Sequence, residues 1–300
     1  MTHARQHQIQ VVAHRGASED APEHTLAAYK KAVEDGADAL ECDVRLTADG
    51  HLVCVHDRRV NRTSNGRGAV SALELADLAA LDFGSWKKHH GEAEEDPDWA
   101  SATGEDTGEN TGEDTGEGTG GGTGTGADTS VLTLERLLEL VAESNASGRR
   151  VRLAIETKHP TRWAGQVEER LLMLLKRFGL DAPPAEGPSP VRVMSFSARS
   201  LHRVRAASPT LPTVYLMQFV SPRHRDGRLP EGVRIAGPAM RILRNHPSYV
   251  AKLKRAGHQV HVWTVNEPED VELCAELGVD AIITNRPKQV LSQLNQLGLH

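Results

Sequence analysis

At 300 residues the chain fits one large α/β barrel or two ordinary domains, and it contains neither a run of about 18 apolar residues nor an apolar leader in its polar opening, MTHARQHQIQ. A cytoplasmic protein without a membrane span is therefore expected. The net charge of −6 hides a split, because 12 of the 41 acidic residues fall between Glu92 and Asp128, where no Lys or Arg occurs, and the rest carries 35 basic against 29 acidic groups. That balance suits an anionic substrate, and no basic stripe interleaved with aromatics points to nucleic acid.

The first strand, Gln10 to His14, ends in His14 and Arg15, and Gly16 then lets the backbone turn sharply beside a ligand. The fork of Arg15 suits phosphate oxygens. A helix follows over Thr25 to Asp35, stopped by Gly36. Next comes ECDVRLTADGHLVCVHD, in which the strands Ala39 to Leu46 and Leu52 to His56 flank TADG. That connection is too short for a parallel crossover, so an antiparallel hairpin is expected. Pairing Leu46 with His51 would set Asp43 opposite Cys54 and Glu41 opposite His56, so that two carboxylates and an imidazole share one face.

After a helix over Ala72 to Leu81 the chain enters TGEDTGENTGEDTGEGTGGGTGTG, Thr103 to Gly126. This repeat has almost nothing apolar to offset the entropy of ordering, and a disordered, solvated insertion at about 90–129 is expected. It lacks the spaced ligands of an EF-hand loop. Structure should resume at VLTLERLLELVAES, where Thr133 caps a helix striped by Leu134, Leu137, Leu138 and Val141. The fourth strand, Val151 to Thr157, carries Glu156 and then Lys158 on one face of an otherwise apolar run. A plain ion pair or a metal-and-phosphate site would both account for them.

Five further strands are expected at Val191 to Phe196, Thr213 to Met217, Arg234 to Ala236, Gln259 to Val265 and Ala281 to Thr284. Helices are expected at Ala164 to Phe178, Pro247 to Ala256 and Pro268 to Leu277, and Val290, Leu291, Leu294 and Leu297 stripe a closing helix. Trp263 is core or the wall of a pocket. PRHRDGR and RSLHRVRAA read as solvated faces. The three cysteines, Cys42, Cys54 and Cys274, show no CxxC spacing and read as small apolar groups.

Repeated βα units with no composition break outside the insertion predict one domain over 1–300, a TIM (β/α)₈ barrel with one surplus strand. A doubly wound sheet is the other arrangement, but no GxGxxG opens the first unit. In a barrel these strand ends gather at one mouth. Glu41, Asp43 and Glu156 would then supply hard oxygens for Mg²⁺ or Ca²⁺, Arg15 and Lys158 would bind phosphate, and His14 and His56 would serve as acid and base.

The run AHRGASEDAPEHTLAAYKKAVEDGADALECDVRLTADGHLVCVHD closely resembles the opening of the glycerophosphodiester phosphodiesterase family, and LTLERLLEL, AIETK, VMSFS, VHVWTVN and DAIITNRP follow in the family's order. The resemblance implies a TIM barrel that hydrolyses a small-molecule glycerophosphodiester to an alcohol and sn-glycerol 3-phosphate with a divalent cation. It gives His14 and His56 the acid and base roles, Glu41, Asp43 and Glu156 the metal, and Arg15 and Lys158 the phosphate. Phe196 and Trp263 match aromatic positions near the substrate. It also implies attack by the neighbouring glycerol hydroxyl through a cyclic phosphate, with direct attack by water as the other route.

Two departures stand out. Pro22, Glu23, His24 and Thr25 replace the usual Pro-Glu-Asn-Thr, and Asn285 stands where Asp is commoner. The insertion follows LDFGSWKK, in a connection that frames the site in related enzymes. Two other functions fit the same residues less directly: a lysophospholipase D-type enzyme acting on acyl-bearing diesters, and a non-catalytic phosphate-ester-binding barrel.

Overall fold

Eight parallel strands close on themselves in the computed structural model, which describes residues 8–89, 127–158, 165–184 and 187–300. The strands are β1 (Gln10–His14), β2 (Ala39–Leu46), β4 (Arg152–Thr157), β5 (Val191–Ser195), β6 (Thr213–Met217), β7 (Ile235–Pro238), β8 (Gln259–Val262) and β9 (Ala281–Thr284). They neighbour one another in the order β1-β9-β8-β7-β6-β5-β4-β2, and β1 pairs with β2 to complete the barrel. The surplus strand β3 (Leu52–Cys54) lies outside, antiparallel on β2. The expected TIM barrel is thus the fold. The Thr-Gly repeat, Thr103 to Gly126, lies outside the described residues.

All eight residues of β2 are buried, because both of its faces are covered. Leu40, Cys42, Val44 and Leu46 join the layer beneath the helices α1 (Leu26–Glu34) and α2 (Leu134–Ala146), while Ala39 belongs to the cluster inside the barrel with Val12, Ala154, Met194, Val214 and Ile283. A period of two therefore sends Glu41 and Asp43 into the lumen. Thr25 and Thr133 cap the two helices, accepting from Ala28 N at 3.3 Å and Arg136 N at 3.2 Å.

The expected hairpin register is wrong by one residue. Leu46 pairs with Leu52, Arg45 with Val53 and Val44 with Cys54. The turn holds three residues, with Gly50 N donating to Thr47 O at 3.1 Å, Thr47 N donating to His51 O at 2.9 Å and Gly50 in the left-handed region at φ +85°. That three-residue loop with a left-handed Gly replaces the four-residue turn that the sequence suggested. Asp43 thus faces Val55, whose N–H donates to Asp43 O at 3.1 Å. The strand also stops at Cys54 rather than His56.

Other boundaries shift as well. A short 3-10 turn, Ala127–Thr129, precedes the expected start at Val131, and there Lys30 Nζ reaches Asp128 Oδ1 at 2.8 Å. An unexpected short helix, α3 (Met240–Asn245), follows β7, and residues 218–234 join β6 to β7 without a helix. On the closing helix α4 (Pro287–Gln296), Val290, Leu291 and Leu294 are buried, whereas Leu297 lies just past its end and is exposed.

Low in the barrel, Ala281 of β9 is in register with both Gln10 of β1 and His261 of β8. Arg192 of β5 crosses to donate from NH1 to Gln10 Oε1 at 2.7 Å. Burial, and then Arg192, holds the His261 imidazole well below its ordinary value. The ring is therefore neutral in the fold but takes up a proton in the unfolded chain below about pH 6.5. Stability should fall as pH drops from there towards the folded value, by at most about 1.4 kcal/mol per pH unit from this one group. Thermal melts of the wild type and His261→Gln between pH 7 and pH 5 check this. The variant should lose less stability on acidification than the wild type, and equal slopes would remove His261 from the account.

Candidate active site

Strand ends deliver the polar groups to the C-terminal mouth of the barrel. In the β1–β2 ladder His14 is level with Glu41, and in the β2–β4 ladder Asp43 is level with Glu156. The three carboxylates, only 2%, 1% and 7% exposed, each offer an oxygen within 4.8 Å of the others. Lys158, one residue past β4, brings Nζ to 2.8 Å from Glu156 Oε1 and 3.4 Å from Asp43 Oδ1.

The turn after β1 aims Arg15 at the same point. Gly16, at φ +85°, packs so closely on α1 that a Cβ there would fall 2.7 Å from Ala28 Cβ. Arg15 and His24 both hold left-handed backbone, at φ +57° and +59°, and His24 N donates to Arg15 O at 3.0 Å. Such conformations in non-glycine residues cost free energy and concentrate where the chain is held for a purpose. Arg15 N donates to Glu41 Oε2 at 3.0 Å, its Nε lies 3.3 Å from Asp43 Oδ2, and its NH1 donates to Glu23 Oε1 at 3.1 Å.

Burial dominates the electrostatics. It pushes the Glu41 carboxyl well above the usual range, with repulsion from Asp43 and Glu156 adding to it. Burial acts on Asp43 in the same direction, but Lys158, His56, His24 and Arg15 together outweigh it and hold that carboxyl well below its usual range. The His56 imidazole is driven well below its ordinary value by burial, then by Arg15 and Lys158, against the pull of Asp43. A buried trio in which one carboxylate resists ionisation fits a divalent cation, whose two charges would relieve the repulsion and whose oxygen preference matches these donors.

His56 reaches this place because the chain bends after Cys54. Arg45 Nε donates to its carbonyl at 2.9 Å, and its Nδ1 meets Asp57 Oδ1 at 2.8 Å. His14 Nδ1 meets Asn285 Oδ1 at 2.7 Å, across from the end of β9. Phe196 and Trp263 meet edge to face at 5.4 Å between ring centroids, and Lys158 Nζ stands 5.9 Å from the Phe196 centroid.

All nine residues expected at the site therefore gather around this mouth, Glu41 and Asp43 from within β2 and His56 from two residues beyond β3. Sequence reasoning missed several of their supports. Arg62 binds Asp57 through Nε at 2.6 Å and Glu23 through NH2 at 2.7 Å, forming a brace behind His56 and Arg15. Arg15 and Arg62 overcome the burial of Glu23 and lower its pKa to about 2. Tyr29 was also missed, although its hydroxyl donates to Glu41 O at 3.0 Å. The position of Asp57 directly after His56 was a usable signal for one of these, whereas Arg62 had none.

Residues 14–289 match the family described as the glycerophosphoryl diester phosphodiesterase family. A protein of Mycobacterium tuberculosis named as a probable glycerophosphodiester phosphodiesterase 1 is 43% identical over 279 residues, covering 92% of this chain and 89% of that relative. A crystal structure from Silicibacter pomeroyi superposes with a TM-score of 0.74 at 25% identity, over 98% of this chain and 95% of the other. An Oleispira antarctica phosphodiesterase, solved in complex with the product sn-glycerol-3-phosphate, shares the fold with a TM-score of 0.73 at 23% identity, over 96% of this chain and 97% of the other.

Proposed function

The chain belongs to the glycerophosphoryl diester phosphodiesterase family and is a phosphoric diester hydrolase, and on that premise we propose that it hydrolyses glycerophosphodiesters to an alcohol and sn-glycerol 3-phosphate. The observation that carries this reading is the meeting of three buried carboxylates with two imidazoles and two basic side chains at one barrel mouth. Glu41, Asp43 and Glu156 would hold Mg²⁺ or Ca²⁺, which when bound supplies positive charge to the phosphoryl oxygens.

The chain's own groups have distinct tasks. Arg15 and Lys158 bind the phosphate oxygens, and Phe196 and Trp263 wall the pocket. His56 holds Asp57 through Nδ1, so proton exchange falls to its Nε2, and its lowered pKa keeps the ring neutral and able to accept. It takes the proton of the glycerol hydroxyl next to the ester as that oxygen attacks phosphorus. His14, oriented by Asn285, protonates the departing alcohol as its P–O bond breaks. Water then opens the cyclic phosphate with the two roles reversed, while direct attack by water would use the same pair.

The test is which P–O bond breaks. Incubation with glycerophosphocholine and glycerophosphoethanolamine should release sn-glycerol 3-phosphate with the free alcohol, detected by a coupled enzyme assay. Release of glycerol with the phosphorylated alcohol, or no product, would overturn the reading. One observation favours a second substrate: Phe219, two residues beyond β6 on the mouth side, is 66% exposed and could meet an acyl chain. Faster turnover of lysophosphatidylcholine than of glycerophosphocholine would make the acyl-bearing diester the substrate.

A further inference from the structure

His24 is buried beside the carboxylates and binds through both ring nitrogens. Its Nδ1 lies 2.9 Å from the Tyr29 hydroxyl and its Nε2 lies 2.9 Å from Asp43 Oδ2. The Tyr29 hydroxyl has a single proton, which it gives to the carbonyl of Glu41, a group that can only accept. A carboxylate oxygen also only accepts, so His24 Nε2–H donates to Asp43. The ring is thus fixed from behind by Tyr29 and holds one chosen oxygen of Asp43 in front.

That choice restricts what Asp43 can offer. With Oδ2 bound to His24 and 3.3 Å from Arg15 Nε, Oδ1 is the oxygen that faces Lys158 Nζ at 3.4 Å. Glu41 commits Oε2 to Arg15 N in the same way. Ca²⁺ gathers six to eight oxygens and favours carboxylates that bind through both, whereas Mg²⁺ takes six in near-octahedral array and keeps waters among them. Single-oxygen carboxylate ligands suit the second pattern.

We propose that His24 is a positioning residue which, by donating to Asp43 Oδ2, makes Asp43 a one-oxygen ligand and tilts the site towards Mg²⁺ and against Ca²⁺. The proposal rests on the cation site of the proposed function, since it assigns that site its selectivity.

The experiment is calorimetric titration of the full chain, freed of cations by chelator and dialysis, with MgCl₂ and CaCl₂ separately and without substrate. His24→Asn tolerates left-handed backbone but is too short to reach Asp43, whereas His24→Gln places an amide N–H as many bonds from the backbone as Nε2. Removing a hydrogen-bond partner of a metal ligand typically changes affinity about 10- to 100-fold. The ratio of Ca²⁺ to Mg²⁺ affinity should therefore rise about 10-fold in His24→Asn and stay within about twofold of the wild type in His24→Gln. Tyr29→Phe, which frees the ring at Nδ1, should shift it about threefold in the same direction. Melting temperatures with each cation provide a second readout and should move in parallel.

An unchanged ratio in a folded His24→Asn, or equal shifts in His24→Asn and His24→Gln, overturns the role of His24 while leaving the cation site standing. If His24→Asn does not fold, an unchanged ratio in Tyr29→Phe has the same consequence. A wild type that binds neither cation overturns the site and this inference together.

Discussion

Removing divalent cations should lower the release of sn-glycerol 3-phosphate by about 1,000-fold or more, and adding Mg²⁺ back should restore it. The physical reason lies in the carboxylates themselves. Glu41, Asp43 and Glu156 are nearly inaccessible to water and lie within 4.8 Å of one another, so their charges repel strongly. Lys158 lies 2.8 Å from Glu156 and Arg15 lies 3.1 Å from Glu23, so both basic groups are paired with carboxylates. A bound cation would take over part of that duty and release positive charge for the phosphate. The same linkage predicts a rise in thermal stability, about 2.7 kcal/mol at a cation concentration 100 times the dissociation constant. Glu156→Gln keeps the shape but loses a charge, so it should need more Mg²⁺ and turn over about 100-fold more slowly. Full activity in the presence of excess chelator would remove the cation from the reaction.

The barrel was legible because its strands are short apolar runs with strong local signals, and β2 and β4 announced their lumen-facing acids through a period of two. Glu41, Asp43 and Glu156 could be grouped without knowing any angle, since every parallel strand of a barrel ends at the same mouth. The hairpin register was less legible, because one residue in the turn decides it. Thr47 and His51 close a three-residue loop through Gly50, and nothing in TADG distinguishes that from a four-residue turn.

The consequence for His56 is instructive. It reaches the carboxylates not by cross-strand pairing with Glu41 but because the chain leaves β3 at Cys54 and Arg45 holds the His56 carbonyl. The sequence brought His56 to the carboxylates through a pairing that the structure does not have. Arg62 and Glu23 were out of reach for another reason. They are 39 positions apart, and their contact depends on how the segment after β3 folds back over the mouth, which no periodicity records. His24 and Asn285 stood out only as departures from the family's usual residues, and it took geometry to reveal that one meets Asp43 and the other His14.

Alanine at His56 or His14 should lower turnover about 100-fold or more while leaving the fold intact, as expected for loss of a general base or acid. The two variants should differ in their pH behaviour. His56 is kept well below its ordinary value by burial and by Arg15 and Lys158, so it is neutral above that lowered value and can accept a proton there. Activity should therefore fall only as pH drops below about 6.5, through the lowered value, and that acid limb should vanish in His56→Ala. Asp57→Asn tests the orientation separately: Arg62 would keep the segment braced through Glu23, but Nδ1 would lose its carboxylate partner at 2.8 Å. An intermediate loss in kcat with little change in KM is expected, because the groups proposed to bind the substrate, Arg15, Lys158, Phe196 and Trp263, follow β1, β4, β5 and β8 and not β3. Steady-state kinetics across pH 5 to 9 on the three variants measure all of this, with circular dichroism to verify folding. If His56→Ala retains near-normal kcat and the wild-type acid limb, the base must be sought elsewhere among the groups at the mouth.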